Sequence, residues 1–298
     1  MIQYARSQPP QLDAFGDVYD PISVAYGRGV DSTAMLVAMR RLGIRPDLIL
    51  FADTGGELPE TLDYGERVFA PWLRLVGFPD VVTVRYRPRH GRYTTLEGNC
   101  TTLGVLPSLA YGKKACSAKW KIQPQQKFEA RWALALEAWN RGGRIEKWIG
   151  YDAGAKDQRR GHNLKDDHRY RYHYPLRTWG WDRAQCIREI LDDQDLVGLS
   201  LAAGLSPIPR KSACWFCPSS TTDDIRYIVD HHPDLADRII EIERLAKPNL
   251  RSIDGLWRRP RKGARGTEPR PGSMTVFIEQ YRASKAHDAI RPPLPIAA

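Results

Sequence analysis

The segment that most constrains this chain runs from Ile22 to Ala52. Ile22-Ser23-Val24-Ala25-Tyr26 is a short apolar run that breaks at Gly27 and Gly29. Over 31–42 the apolar residues Met35, Leu36, Ala38, Met39 and Leu42 recur on one helical face, and Gly43 stops the helix. Asp47-Leu48-Ile49-Leu50-Phe51-Ala52 then reads as a second buried strand. Two buried strands joined by a helix of about three turns make a βαβ unit, whose crossover is right-handed and whose strands are parallel.

The alternation continues. Residues 59–75 read as a helix opened by Pro59 and kinked or restarted at Pro71. Strands are expected at 81–86 and 146–151, separated by a loop or short helical region at 100–116 and a helix at 123–140. Strands alternating with helices predict an α/β fold, a doubly wound and mostly parallel sheet, over residues 1–175. From 176 to 298 the text is helical: 182–191, 195–204, two helices in 221–247 broken near Pro233, and a last one at 275–285. This second region carries a C-x-x-C pair and a basic segment at 258–265.

A strand, a glycine turn and a helix start aim backbone N–H groups and the positive end of a helix dipole at one point, which suits a phosphate. Gly27 and Gly29 let an anion approach the backbone. Asp31 or Ser32 can cap the helix, or face a metal ion or the phosphates; the same geometry also serves as a tight turn that binds nothing. The second turn, Asp53-Thr54-Gly55-Gly56, also lies at the carboxyl end of a strand, where ligands of such sheets sit, so the two turns are expected to line one crevice.

Lys and Arg outnumber Asp and Glu by 45 to 35 in 298 residues, for a net charge of +10. That surplus favours nucleotides or nucleic acid as partners. No apolar run approaches the roughly 20 residues that span a bilayer, and the N-terminus lacks a signal-peptide pattern, so the expectation is a cytoplasmic protein without a membrane partner. Past the fourth strand, basic residues interleave with Tyr170, Tyr172 and Tyr174 in an extended segment. That pattern reads either as a solvated basic loop or as a surface for single-stranded nucleic acid.

The five cysteines are Cys100, Cys116, Cys186, Cys214 and Cys217. Cys214 and Cys217 can ligate one metal, and Cys100 and Cys116 are the natural partners that complete four ligands. Thiolates alone suit Zn²⁺ or an iron–sulfur cluster, and a site without metal remains an alternative. Cys186 lies on an amphipathic helix and reads as a small core residue.

Three blocks now point to one family. Tyr26-Gly27-Arg28-Gly29-Val30-Asp31-Ser32 resembles a pyrophosphate-binding loop of the form S-G-G-x-D-S or Y-G-G-G-x-D/N-S. Asp53-Thr54-Gly55 with Pro59-Glu60-Thr61 is similar to a D-T-G and P-E-T signature. Lys211-Ser212-Ala213-Cys214-Trp215-Phe216-Cys217-Pro218 resembles a K-S-x-C-x-x-C-P block. In this order they resemble the phosphoadenosine phosphosulfate (PAPS) reductase family, a branch of the PP-loop ATP pyrophosphatases with the adenine nucleotide alpha-hydrolase-like fold. The likeness is to its phage- and defence-associated members.

The resemblance implies binding of ATP or another adenine nucleotide with Mg²⁺, cleavage between the α and β phosphates, and adenylation of an acceptor for sulfur transfer or a related modification. It implies catalytic roles for Asp31 and Ser32. Nucleotide contacts are implied at Tyr26, Gly27, Arg28, Gly29, Val30, Asp53, Thr54, Gly55, Arg159 and Arg160. A [4Fe-4S] cluster on Cys100, Cys116, Cys214 and Cys217 is implied, with Zn²⁺ as the alternative. Implied partners are DNA or RNA, a sulfur donor and proteins of a defence complex. Two other functions stand beside this one. A catalytically degraded accessory protein of a phage or CRISPR-type defence locus would bind nucleotide or nucleic acid without turnover. Sulfonucleotide reduction is disfavoured because no cysteine follows Cys217 to act as its nucleophile. Arg28 departs from the family's glycine: it either adds a guanidinium fork for phosphate or fills the cleft.

Overall fold

The computed structural model describes residues 20–89, 91–113, 115–155, 165–210, 212–263 and 268–290. They fall into two compact units. The first holds residues 20–53, Glu57–Arg85 and Ile122–Ser212; the second holds Thr54–Gly56, Tyr86–Lys121 and the chain from Ala213 on. Residues 175 and 176 both belong to the first unit.

The first unit is a five-stranded sheet built from β1 (Ile22–Ala25), β2 (Leu48–Asp53), β3 (Val81–Arg85), β4 (Ile145–Ile149) and β5 (Tyr170–His173). The strand order is β3-β2-β1-β4-β5 and every pairing is parallel. The expected doubly wound α/β sheet is therefore present. The extended tyrosine segment is its fifth strand.

Alternation along the strands separates two cores. On one face Val24 and Ile49 pack with Met35, Leu36, Met39, Phe69, Trp72, Cys186 and Ile190, which come from helices Val30–Arg41, Ala70–Leu75 and Arg183–Asp192 and the turn between Tyr64 and Ala70. On the other face Leu48, Leu50, Ala52 and Val84 meet Phe128 and Trp132, and Ile145 and Tyr170 meet Ala135 and Trp139. Each such large apolar side chain taken out of water contributes about 1.5–3 kcal/mol, so both layers are needed to hold the sheet. Beneath the second layer lies a buried polar cluster. Lys147 Nζ on β4 donates to Glu129 Oε1 at 2.6 Å, to Gln125 Oε1 at 2.9 Å and to Ser23 Oγ at 3.1 Å.

The helix expected over 59–75 forms, but in three parts. Helices Pro59–Tyr64 and Ala70–Leu75 flank a wider π turn, Gly65–Phe69. Pro71 has no N–H, and its ring presses on the preceding turn; a π turn just before it accommodates both effects without breaking the helix. The helix expected over 123–140 is likewise divided, into Gln123–Glu129 and Ala133–Asn140.

The second unit is helical, with Leu96–Leu103, Thr222–His231, Pro233–Ala246 and Met274–Ile290 as its longer elements. Its anchor is Glu243, buried on helix Pro233–Ala246. The carboxylate accepts from the backbone N–H of Leu256 (2.6 Å), Met274 (2.9 Å) and Thr275 (2.9 Å) and from the Ser273 hydroxyl, 2.5 Å away. It thereby satisfies N–H groups at the start of the last helix that would otherwise lack partners. Among the described residues no helix is long and apolar enough to cross a membrane.

Candidate functional site

In the first unit, the strand order reverses direction between β1 and β4. Ligands of open parallel sheets sit beyond the carboxyl ends of the strands at such a reversal. Here the chain leaves β1 through Tyr26–Gly29 and leaves β4 through Gly150. These two exits meet closely: a Cβ on Gly150 would stand 2.9 Å from both N and Cα of Ser32. Gly150 is a site residue that sequence reasoning missed, although a glycine closing a strand was its visible signal.

Each residue of the glycine loop has a distinct task. Tyr26 donates its N–H to Leu50 O at 2.9 Å, while its ring is buried and stacked on Phe69 with centroids 4.6 Å apart. Burial pushes its phenol pKa well above the ordinary value. Its side chain belongs to the core and its N–H to the sheet, leaving only its backbone carbonyl for a ligand. Gly29 is the N-cap of helix Val30–Arg41 and offers no side chain to cap it. The Ser32 hydroxyl ties the loop to itself, accepting from Gly27 N–H at 3.2 Å and donating to Gly29 O at 3.1 Å. Val30 is fully buried.

Arg28 stands at φ +57, in the left-handed region that favours glycine. Its guanidinium lies 4.3 Å over the Phe51 ring, donates from Nη1 to Leu62 O at 3.2 Å, and rests against Gly65, where a Cβ would stand 2.7 Å from Nη1. The side chain is thus packed between β2 and the helix that follows it.

Asp31 is paired with Arg183 Nη1 at 2.8 Å, so a second cation already shares the mouth of the loop. Asp53, at the end of β2, faces Arg85 in register on β3 and accepts from its Nε at 2.8 Å. Ser212 places its hydroxyl over the loop. A Cβ on Gly29 would stand 2.6 Å from Ser212 Oγ, and one on Gly27 would stand 3.5 Å from it. Arg85, Arg183 and Ser212 are further residues that sequence reasoning did not assign to the site. Their signals were weak: an arginine ending a strand, one starting an amphipathic helix, and a serine beside the cysteines. Arg159, Arg160 and Lys211 lie outside the described residues.

The second unit gathers the remaining described residues of the expected site. Thr54 is buried, and its Oγ1 lies 3.1 Å from Cys214 Sγ and accepts from Gly56 N–H at 3.3 Å. Trp215 N–H donates to Gly56 O at 2.7 Å and Leu96 N–H to Thr54 O at 2.9 Å. The Thr54–Gly56 turn is thus a seat for the cysteine segment and for the start of helix Leu96–Leu103. Gly55, at φ +72, leaves no room for a side chain: a Cβ would meet Thr95 Cγ2 at 2.3 Å.

All four cysteines of the expected set, Cys100, Cys116, Cys214 and Cys217, fall in this unit, whereas Cys186 is buried in the core of the other. Cys217 N–H donates to Cys214 O at 2.9 Å, closing the C-x-x-C turn. Cys116 N–H donates to Ser108 Oγ at 2.7 Å. The Cys100 thiol is pushed up to about 12, first by burial and then by the negative charge that Cys214 and Cys116 would bring close to it. A cation amid these thiols would reverse that cost, which is the chemistry of a thiolate metal site. Among the described residues, however, no three His, Cys, Asp or Glu side chains are grouped tightly enough to hold a metal ion. The donor set suits a thiolate-bound group, but its geometry is not closed.

No protein-family profile matches the chain, and no curated protein matches it. Among solved structures it is similar to the U34-tRNA thiolase NcsA from Methanococcus maripaludis with its [4Fe-4S] cluster. The two are 14% identical over 80% of this chain and 76% of that one, with a TM-score of 0.34.

Proposed function

We propose that the chain binds ATP at the β1 loop and cleaves it between the α and β phosphates, adenylating an oxygen of a nucleic-acid acceptor for sulfur transfer or a related substitution. The observation that carries this reading is the glycine loop at the sheet's reversal point, feeding a 12-residue helix whose first turn has no side-chain cap. Uncapped N–H groups and the positive helix end favour the pyrophosphate portion of a nucleotide. In the step itself, the acceptor oxygen bonds to Pα and the bond from Pα to the bridging oxygen breaks. Pyrophosphate leaves with that electron pair, and the acceptor carries AMP. Ser32 holds the loop's shape, and Asp31 with Arg183 sets the charge at its mouth. A Mg²⁺ ion would neutralise charge on the leaving pyrophosphate.

Cys100, Cys116, Cys214 and Cys217 are the residues that would hold a [4Fe-4S] cluster, or Zn²⁺. Their chemistry fits thiolate ligation, and a cluster would supply a site for holding sulfur. The alternative, a degraded nucleotide-binding accessory protein, is favoured by one observation: Arg183 at 2.8 Å competes with any cation for Asp31.

The decisive assay incubates the full chain with Mg²⁺, α-labelled ATP and DNA or RNA acceptors. Labelled acceptor with released pyrophosphate is expected, and Asp31→Ala should abolish both while leaving the unfolding midpoint nearly unchanged. ATP binding without either product would hand the case to the accessory reading. Anaerobic purification should yield about four iron atoms per chain if the cluster is a cubane; zinc without iron would remove it.

A further inference from the structure

Between Arg251 and Gly263 the chain carries Arg251, Arg258, Arg259, Arg261 and Lys262 against a single acid, Asp254. A charge run of this kind is usually a solvated, mobile stretch. Here it is held in a defined shape. Arg258 N–H donates to Gly255 O at 2.9 Å, and Asp254 N–H donates to Arg258 O at 2.8 Å. Arg261 and Arg270 exchange both backbone bonds, at 2.8 and 3.0 Å, as an antiparallel bridge. The segment is anchored by Trp257, which is buried and donates from Nε1 to Ser220 O at 2.8 Å. Arg270 lies over the same ring at 4.7 Å and donates to the same carbonyl at 3.0 Å.

The cations so presented are not neutralised. Elsewhere in the second unit Arg226, Arg238, Arg244 and Arg282 each sit on a carboxylate. Glu268, just before Arg270 in the chain, is taken by Arg226 at 2.6 Å. Arg258, Arg259, Arg261 and Lys262 are exposed and form no salt bridge among the described residues. Arg258 is also held at φ +73, a left-handed conformation that is unfavourable for a non-glycine residue. Crowding like charges on an ordered turn is unfavourable in the free protein, and a polyanion relieves it.

The basic segment also has a place relative to the thiols of its own unit. Arg258 Nη1 lies 2.9 Å from where a Cβ on Gly112 would stand. Gly112 ends the short helix Ser108–Tyr111, and it is the Ser108 hydroxyl that holds the backbone of Cys116.

We propose that the cations Arg258, Arg259, Arg261 and Lys262 form the docking surface for the phosphodiester backbone of a nucleic acid, delivering it beside Cys116. This deepens the nucleic-acid branch of the function proposed above. The test is fluorescence anisotropy of the full chain with a labelled single-stranded RNA and a DNA of the same sequence, over a range of salt. The variant Arg259→Gln/Arg261→Gln/Lys262→Gln should bind at least about tenfold more weakly. Its plot of log affinity against log salt should be shallower by about 2, because each phosphate of a single strand that a cation neutralises adds about 0.7 to the slope. Lys262→Gln alone should lower the slope by about 0.7, which keeps the test available if the triple variant folds poorly. Arg244→Gln/Arg282→Gln, which removes paired cations from the same unit, should change neither quantity. The RNA and DNA arms identify the polymer. Equal affinity and slope for the triple variant would overturn the proposal, as would absence of salt-dependent binding to either polymer by the unaltered chain. Because binding needs no ATP turnover, loss of adenylation with binding intact counts against the function alone.

Discussion

Gly29 and Gly55 each follow a parallel strand of one sheet and each stand in a turn rich in small residues, yet they are glycines for different reasons. Gly29 has an ordinary extended backbone, φ −111, and needs only space, because Ser212 occupies the volume a side chain would take. Gly55 needs space and a left-handed backbone, with Thr95 against it and φ at +72. One turn is built around a contact that can be removed by substitution. The other is built around a conformation that glycine supplies at the least cost, in a space that admits no side chain. The first therefore can be tuned for a ligand, whereas the second is structural and holds the Cys214 segment in place.

Gly55→Ala should have the largest effect. Left-handed backbone costs about 1–2 kcal/mol, and forcing a methyl into packed space typically adds about 1–3 kcal/mol, so a decrease of about 2 kcal/mol or more is expected in urea unfolding. Adding Thr95→Ser removes the Cγ2 clash but leaves Cβ at 2.7 Å and φ unchanged, so it should recover only part. Full recovery would make the two glycines alike. Gly29→Ala should cost less stability and instead weaken ATP binding about tenfold, or about 1.4 kcal/mol. Pairing it with Ser212→Ala removes the 2.6 Å contact and leaves one at 3.2 Å. Stability should return while affinity stays low, because the new methyl still obstructs the phosphate. If affinity also returns, Gly29 serves Ser212 and not a nucleotide.

The sheet was legible because its strands are short apolar runs bounded by glycine and its helices keep a 3.6-residue period. That logic placed β1 to β4 within a residue or two. The edge strand β5 was legible only as an extended segment, because Tyr170-Arg171-Tyr172-His173 mixes polar and aromatic residues with no buried run. Asp166 and Asp167 cover its outer edge by accepting from Tyr172 and Tyr170 N–H at 2.9 and 2.8 Å, a local solution that no periodicity announces. The motif residues of the site were visible, but their partners were not. Arg85, Arg183 and Ser212 reach Asp53, Asp31 and Gly29 from 32, 152 and 183 positions away, and pairings at such separations follow from topology alone. The Lys147 and Glu129 pair was hidden for the same reason. A lysine in a buried strand looks like an edge signal until its carboxylate is found on a helix packed beneath it.

Arg28 tests whether the first turn is tunable at its centre, where the smallest effect on ATP affinity is expected. Arg28→Gly relieves about 1 kcal/mol of left-handed strain. Against this, it forfeits the stack on Phe51, about 0.5–2 kcal/mol, and a hydrogen bond worth about 1 kcal/mol. It also frees the unfolded chain by a further 0.4–1 kcal/mol, roughly. The losses outweigh the relief, so a net decrease of about 1–3 kcal/mol is expected in unfolding. ATP affinity should stay within about twofold, since the guanidinium is engaged with Phe51 and Leu62 O. A tenfold drop in affinity with unchanged stability would mean that the side chain leaves this packing to meet phosphate, and the left-handed backbone at Arg28 would then belong to the nucleotide site as a spring, in contrast to the fixed strain at Gly55.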